Sequence, residues 1–239
     1  MPDPAHGPQS APEGSHGRRP IQGSEAIEDY AKAIHALAGR SDGPVGTSAL
    51  AERLGVSPGT VTAMLKRMAA LGLVSHEPYH GVELTADGER MALEVIRHHR
   101  LLEAFLAEQL GMPWDRVHDE AEVLEHYISE ELEELIAAAL GDPERDPHGD
   151  PIPTADGEID ETPTQPLSEL KPGARGVFVR VSDSDPDMLR YLAERGIAPG
   201  DRFVVIGREP FEGPLTVRFG DRDHVLGGAL THAMRTVSR

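Results

Sequence analysis

Cysteine is absent from this 239-residue chain, and with it go disulfide staples, thiolate-held zinc and thiol catalysis. Aromatic residues are scarce at 4%, with a single tryptophan. No stretch is long and apolar enough to span a bilayer, and the mean hydropathy is −0.37. Residues 1–22, rich in Pro, Gly and His, hold no apolar leader segment and are expected to form a disordered tail, which points to the cytoplasm. Basic charge is also short: 23 Lys and Arg face 41 Asp and Glu, for a net charge of −18. A uniformly acidic chain would be repelled by a polyanion. Here the acid is segregated. Residues 92–161 carry 20 acidic and four basic groups, whereas residues 1–91 carry 11 and eight, and residues 162–239 carry 10 and 11. A nearly neutral N-terminal module is therefore still free to meet DNA.

What is present reads as three modules. From Ser24, a good N-cap, Ile27, Tyr30, Ala31, Ile34 and Leu37 recur at helical spacing. The run TSALAERLGVSPGTVTAMLKRM then predicts two short helices. Thr47 or Ser48 would cap the first and Gly55 would end it in the left-handed conformation. Ser57 would cap the second, with Pro58 at the first helical position. After Gly72, LVSHEPYHGVELT alternates around His80-Gly81 like a hairpin. Helix, turn, helix and hairpin make a winged helix-turn-helix over residues 23–91. Three helical patterns follow over 92–149: one begun at Ala86 and stopped by Gly111-Met112-Pro113, one from about Trp114 to Tyr127, and one from Ser129 to Leu140. Residues 150–165 read as a linker, and 166–239 as a small SH3-like β-barrel with one helical insert, DPDMLRYLAERG. The expected fold class is α+β: winged helix, all-α middle domain, C-terminal barrel.

Two features carry chemistry. Glu122, Glu125 and His126 stand at spacings of three and four, so one helix would present them together as a hard oxygen and nitrogen site for a divalent cation. An acidic solvated face is the alternative. Val123 and Leu124 imply that part of this helix is buried, where bare carboxylates would be costly. His99 and Glu103, four apart on the preceding helix, and His118, four before Glu122, form a second His/Glu cluster. The other feature is the start of the second short helix. The small polar residues Ser57, Gly59, Thr60 and Thr62 beside Pro58 suit phosphate or base contacts, and Lys66 and Arg67 add ionic ones. No partnered nucleophile or Gly-rich phosphate loop accompanies the acidic cluster, so an enzyme is not expected, and a metal store would not need a winged helix.

Taken as a set, EDYAKAI, LAERLGVSPGTVTAMLKRM, GLVSHEPYHGVELTADG, HRLLEAFL, VHDEAEVLEHYIS and DPHGDPIP resemble the diphtheria toxin repressor family over residues 23–239, including a C-terminal FeoA-like module. The likeness is strongest to three-domain manganese-responsive regulators of actinobacteria. It implies a metal-activated, homodimeric transcriptional repressor that binds double-stranded operator DNA and needs neither a membrane nor an organic cofactor. It implies a primary metal site of Asp29, Glu122, Glu125 and His126. It implies an ancillary site of His99, Glu103 and His118, completed by a carboxylate of the barrel, for which Asp185 matches best among Asp183, Asp185 and Asp187. Iron-type members carry Met and Cys where this chain has Asp29 and Glu122, so the harder set favours Mn(II), with Fe(II) the alternative. Lys32 stands where two-domain manganese members have a glutamate, which disfavours a binuclear centre and implies one primary and one ancillary ion per subunit. Mutual repulsion of Asp29, Glu122 and Glu125 is expected to hold the first helix off the dimerisation helices until a cation joins them. The dimer face is expected to include Leu132, Leu135 and Ile136.

Overall fold

The structure is a computed structural model that describes residues 24–39, 43–77, 80–160 and 162–238. The expected tail over 1–22 and the capping side chain of Ser24 lie outside the described residues. Helix α1 (Ser24–Ala38) packs Ile27, Tyr30, Ala31 and Ile34 inward at the spacing its sequence dictates. Helix α2 (Thr47–Leu54) and α3 (Pro58–Ala70) follow. The α2 cap differs from expectation: Gly46 takes the N-cap position with no side-chain bond, so neither Thr47 nor Ser48 is the cap. At the other end Gly55 adopts φ 65°, where a side chain would strain. Ser57 caps α3, its hydroxyl accepting from the Thr60 N–H at 3.1 Å. Strands β1 (Val74–Glu77) and β2 (Gly81–Leu84) pair antiparallel as the wing. Leu50, Val61, Leu65, Met68 and Val82 close this first core.

Helix α4 (Ala86–Glu108), capped by Thr85, runs from the wing into the middle of the molecule. Helices α5 (Val117–Leu124) and α6 (Glu130–Leu140) pack on it through Leu101, Leu102, Ala121, Ile136 and Ala137. Helix α5 is shorter than the expected Trp114–Tyr127. His98 Nδ1 lies 3.2 Å from the Glu125 carbonyl, and the Tyr127 N–H turns back to the Leu124 carbonyl at 3.0 Å. A side chain from α4 thus serves a carbonyl that a longer helix would have used.

Residues 150–153 are not a free linker. The Arg97 guanidinium donates to the Pro153 carbonyl at 2.7 Å, Arg100 donates to that of Pro151, and Ile152 is buried against α4. The C-terminal module is a six-stranded antiparallel sheet ordered β3-β8-β4-β5-β6-β7, comprising β3 (Gln165–Pro166), β4 (Arg175–Val181), β5 (Arg202–Arg208), β6 (Leu215–Phe219), β7 (Arg222–Leu226) and β8 (Met234–Ser238). Its own core of Phe178, Leu189, Phe203 and Val217 is covered by helix α7 (Pro186–Ala193), with a short α8 (Gly228–Ala233) before β8. Trp114 packs onto this core from the middle domain.

Candidate metal centre and nucleic-acid interface

Four elements meet at one acidic centre. Helix α1 brings Glu28, Asp29 and Lys32; α4 brings His99 and Glu103; α5 and the turn after it bring His118, Glu122, Glu125 and His126; and the segment joining β4 to α7 brings Asp183. Because α5 ends at Leu124, Glu122, Glu125 and His126 do not share a single helix face as the spacing alone implied. They converge around α1 instead. His126 Nε2 lies 3.1 Å from Asp29 and 3.6 Å from Glu125, while its Nδ1 faces Glu28 at 2.7 Å. Glu28 thereby fixes the ring so that Nε2 looks into the carboxylates. Asp29, Glu122 and His126 also line a solvent-open pocket with Glu25, Val123 and Tyr127, which gives an ion a way in.

A second cluster lies deeper. His99 Nε2 is 3.0 Å from Glu103 and 3.2 Å from His118 Nδ1. His118 Nδ1 is in turn 3.4 Å from Glu103 and 3.0 Å from Asp183. The carboxylate of the barrel that reaches this cluster is Asp183, not the expected Asp185. The Asp185 side chain is used as the N-cap of α7, accepting from the N–H groups of Asp187 and Met188 at 3.0 and 3.3 Å. His148 and Asp146, in the DPHGD turn, adjoin the same Glu103. His148 Nδ1 is 3.6 Å from Glu103, is fully buried and has no hydrogen-bond partner among the described residues. Spacing gave no hint of this, since His148 is 45 positions from Glu103 and the contact is made by packing.

The electrostatics show which charges the chain supplies by itself. His126 is pushed up to about 10 by its hydrogen bonds to Asp29 and Glu28, against the opposing effect of burial. His118 is likewise pushed up to about 10, by Asp183 first and Glu103 second. Burial would raise the Glu103 carboxyl, but the imidazoles of His118, His148 and His99 beside it outweigh that and hold it well below the usual range. The expected bare repulsion among Asp29, Glu122 and Glu125 is thus offset in part by protonated imidazoles and by Lys32, and α1 lies packed on α4. The donor chemistry fits a hard dication. Asp29, Glu125 and His126 form one group, and His99, Glu103, His118 and Asp183 another. In each, the oxygen and nitrogen donors lie within 4.8 Å of one another, and no sulfur is among them.

Val123 and Leu124 are not buried as their composition suggested: they are 63% and 38% exposed. With Leu132 and Leu135 they leave α5 and α6 an uncovered apolar face, whereas Ile136 belongs to the internal core. On α3, Ser57, Pro58, Gly59, Thr60, Lys66 and Arg67 are exposed and Thr62 is partly so. The Thr62 hydroxyl donates to the Pro58 carbonyl at 2.9 Å, so it is committed to its own helix.

Comparison with known proteins matches three segments of the chain to family models. Residues 23–82 match the "Iron dependent repressor, N-terminal DNA binding domain", 85–154 the "Iron dependent repressor, metal binding and dimerisation domain", and 165–234 the "FeoA domain". The chain is 37% identical over 225 residues to the diphtheria toxin repressor of Corynebacterium glutamicum, covering 88% of this chain and 95% of that one. It is 31% identical over 223 residues to the iron-dependent repressor IdeR of Mycobacterium tuberculosis, covering 88% and 96%. Among solved structures it resembles a manganese-dependent transcriptional repressor in complex with manganese, at TM-score 0.81 and 44% identity, covering 89% of this chain and all of that one.

Proposed function

The chain belongs to the iron-dependent (diphtheria toxin) repressor family, whose members are metal-dependent DNA-binding repressors, and from that premise we propose that it is a Mn(II)-activated repressor that binds operator DNA as a homodimer in the cytoplasm and controls metal-transport genes. The observation that carries the reading is the sulfur-free donor set at the junction of α1 and the end of α5: Asp29, Glu125 and His126 have donor atoms within 4.8 Å of one another, and Glu122 lines the same pocket as Asp29 and His126. Carboxylates with one imidazole prefer a hard ion. These four residues form the primary site, and His99, Glu103, His118 and Asp183 the ancillary one, with one ion at each. When bound, the cation supplies the positive charge that these carboxylates share.

The rest is done by the chain's own residues. Asp29 stands on the helix that opens the DNA-reading module, and Glu122, Glu125 and His126 stand on the middle domain. Gathering them fixes one module against the other. The exposed apolar face of α5 and α6 joins two subunits and so sets the distance between two copies of α3. Operator half-sites one or more turns apart, roughly 34 Å each, are then met together. Such coupling requires that the DNA-competent arrangement hold the cation more tightly than the alternatives do.

Fe(II) activation is the second reading, favoured by relatives named iron-dependent repressors at 31% identity. An anaerobic anisotropy titration of operator duplex with Mn(II), Fe(II), Co(II), Zn(II) and Mg(II), at matched free-ion concentrations, tests both. Half-maximal binding is expected at a lower free concentration of Mn(II) than of Fe(II). The reverse order transfers the assignment to iron, and binding indifferent to every ion removes it.

A further inference from the structure

A fixed cation sits between the two donor clusters. Lys32, one turn after Asp29, donates to Glu122 Oε1 at 2.7 Å and to the two oxygens of Glu125 at 3.0 and 2.9 Å, and its Nζ lies 3.3 Å from His99 Nδ1. Those three partners are themselves a group with donor atoms within 4.8 Å of one another, so the ammonium fills the place that an ion held by them would take. The Lys32 side chain is 17% exposed and that of Glu125 is 0%, which leaves little water to screen the charge. Glu122 and Glu125 also belong to the primary site, and His99 belongs to the ancillary one.

We propose that Lys32 is an internal counter-cation that lowers the affinity of the centre for divalent ions and thereby sets the free-ion concentration at which the protein responds. This rests on the metal reading above. Two effects give the proposal its sign. The ammonium takes up lone pairs of Glu122 and Glu125 that a dication needs, and its charge repels a dication held a few ångströms away by the same carboxylates. Without an ion, the same ammonium offsets the cost of gathering those carboxylates in a half-buried site. Removing the charge should therefore weaken the chelated fold and tighten ion binding together. A lysine that served only packing would produce the first change without the second.

The test is calorimetric titration of the full-length chain with Mn(II), together with thermal unfolding in chelator and in Mn(II), for wild type, Lys32→Met and Lys32→Arg. Lys32→Met is expected to bind Mn(II) at least tenfold more tightly. It should melt below wild type in chelator and show a larger Mn(II)-induced rise in Tm. Lys32→Arg keeps the charge and should stay within about threefold of wild-type affinity, on the scale where tenfold is 1.4 kcal/mol. Lys32→Gln keeps polar hydrogen-bonding capacity without the charge, and the same tenfold criterion applies to it should the methionine variant fail to fold. Equal or weaker Mn(II) binding by the uncharged variants overturns the role of Lys32 while leaving the metal reading intact. A wild type that binds no Mn(II) overturns the metal reading itself.

Discussion

Asp183 reaches His118 at 3.0 Å, whereas the Asp185 carboxylate receives the first free N–H groups of α7. Two aspartates two positions apart therefore have separable roles. Asp183→Asn should weaken Mn(II) binding at the ancillary site tenfold or more, with the fold kept. Asp185→Ala should cost about 1 kcal/mol of stability through loss of the cap and leave the Mn(II) isotherm unchanged. Calorimetric titration and thermal unfolding of the two variants separate these roles, and the opposite pattern would restore Asp185 to the site. The capping role was legible: Asp185-Pro186 repeats the cap-then-proline pairing of Ser57-Pro58, which marks a side chain already spoken for. The reach of Asp183 was not legible, because it depends on how the barrel docks against α5. His148 was hidden for the same reason, whereas His99 and Glu103 were visible because four residues on a helix make neighbours.

Helices α1 to α4 follow their periodicity, and α3 also follows its expected Ser57 cap, since these signals are local. The end of α5 does not, because the side chain that serves the Glu125 carbonyl comes from His98 on α4. Local sequence cannot report a partner 27 positions away. The burial of Val123 and Leu124 failed for a related reason: apolar composition marks a face to be covered, and the single chain does not cover it. On α3 the exposed residues divide by what their groups can still offer. Ser57 and Thr62 use their hydroxyls within the helix, while Lys66 presents its ammonium to solvent. Lys66→Ala should weaken binding to operator and to unrelated duplex alike. It should also reduce the slope of log affinity against log salt by roughly 0.9, one phosphate contact's worth. A salt series by anisotropy measures this, and a loss confined to operator sequence would instead assign Lys66 to base reading.

The three modules are tied as well as strung together. Gly149, at φ 88°, lies where an added Cβ would come within 1.9 Å of the Val179 carbonyl, so the DPHGD turn presses backbone to backbone on β4. Trp114 stacks on His148, and Arg180 donates to Asp150 at 3.0 Å. The barrel thus adjoins the residues that hold the ancillary donors. The uncovered face of α5 and α6 belongs to the same scale. Leu135, 61% exposed, should be a dimer contact, and Leu135→Glu should sediment as a monomer with an intact fold and much reduced operator binding. A dimer indifferent to that charge would place the interface elsewhere. The central claim is that the carboxylates of α1 and α5 must share a hard dication before the two reading helices engage DNA. The most direct measurement is anisotropy on an operator duplex selected in Mn(II), comparing wild type and Asp29→Ala in chelator and in saturating Mn(II). The account predicts at least hundredfold tighter binding by wild type in Mn(II) than in chelator, with no such gain for Asp29→Ala at unchanged fold. Equal grip by the chelated wild type would contradict it.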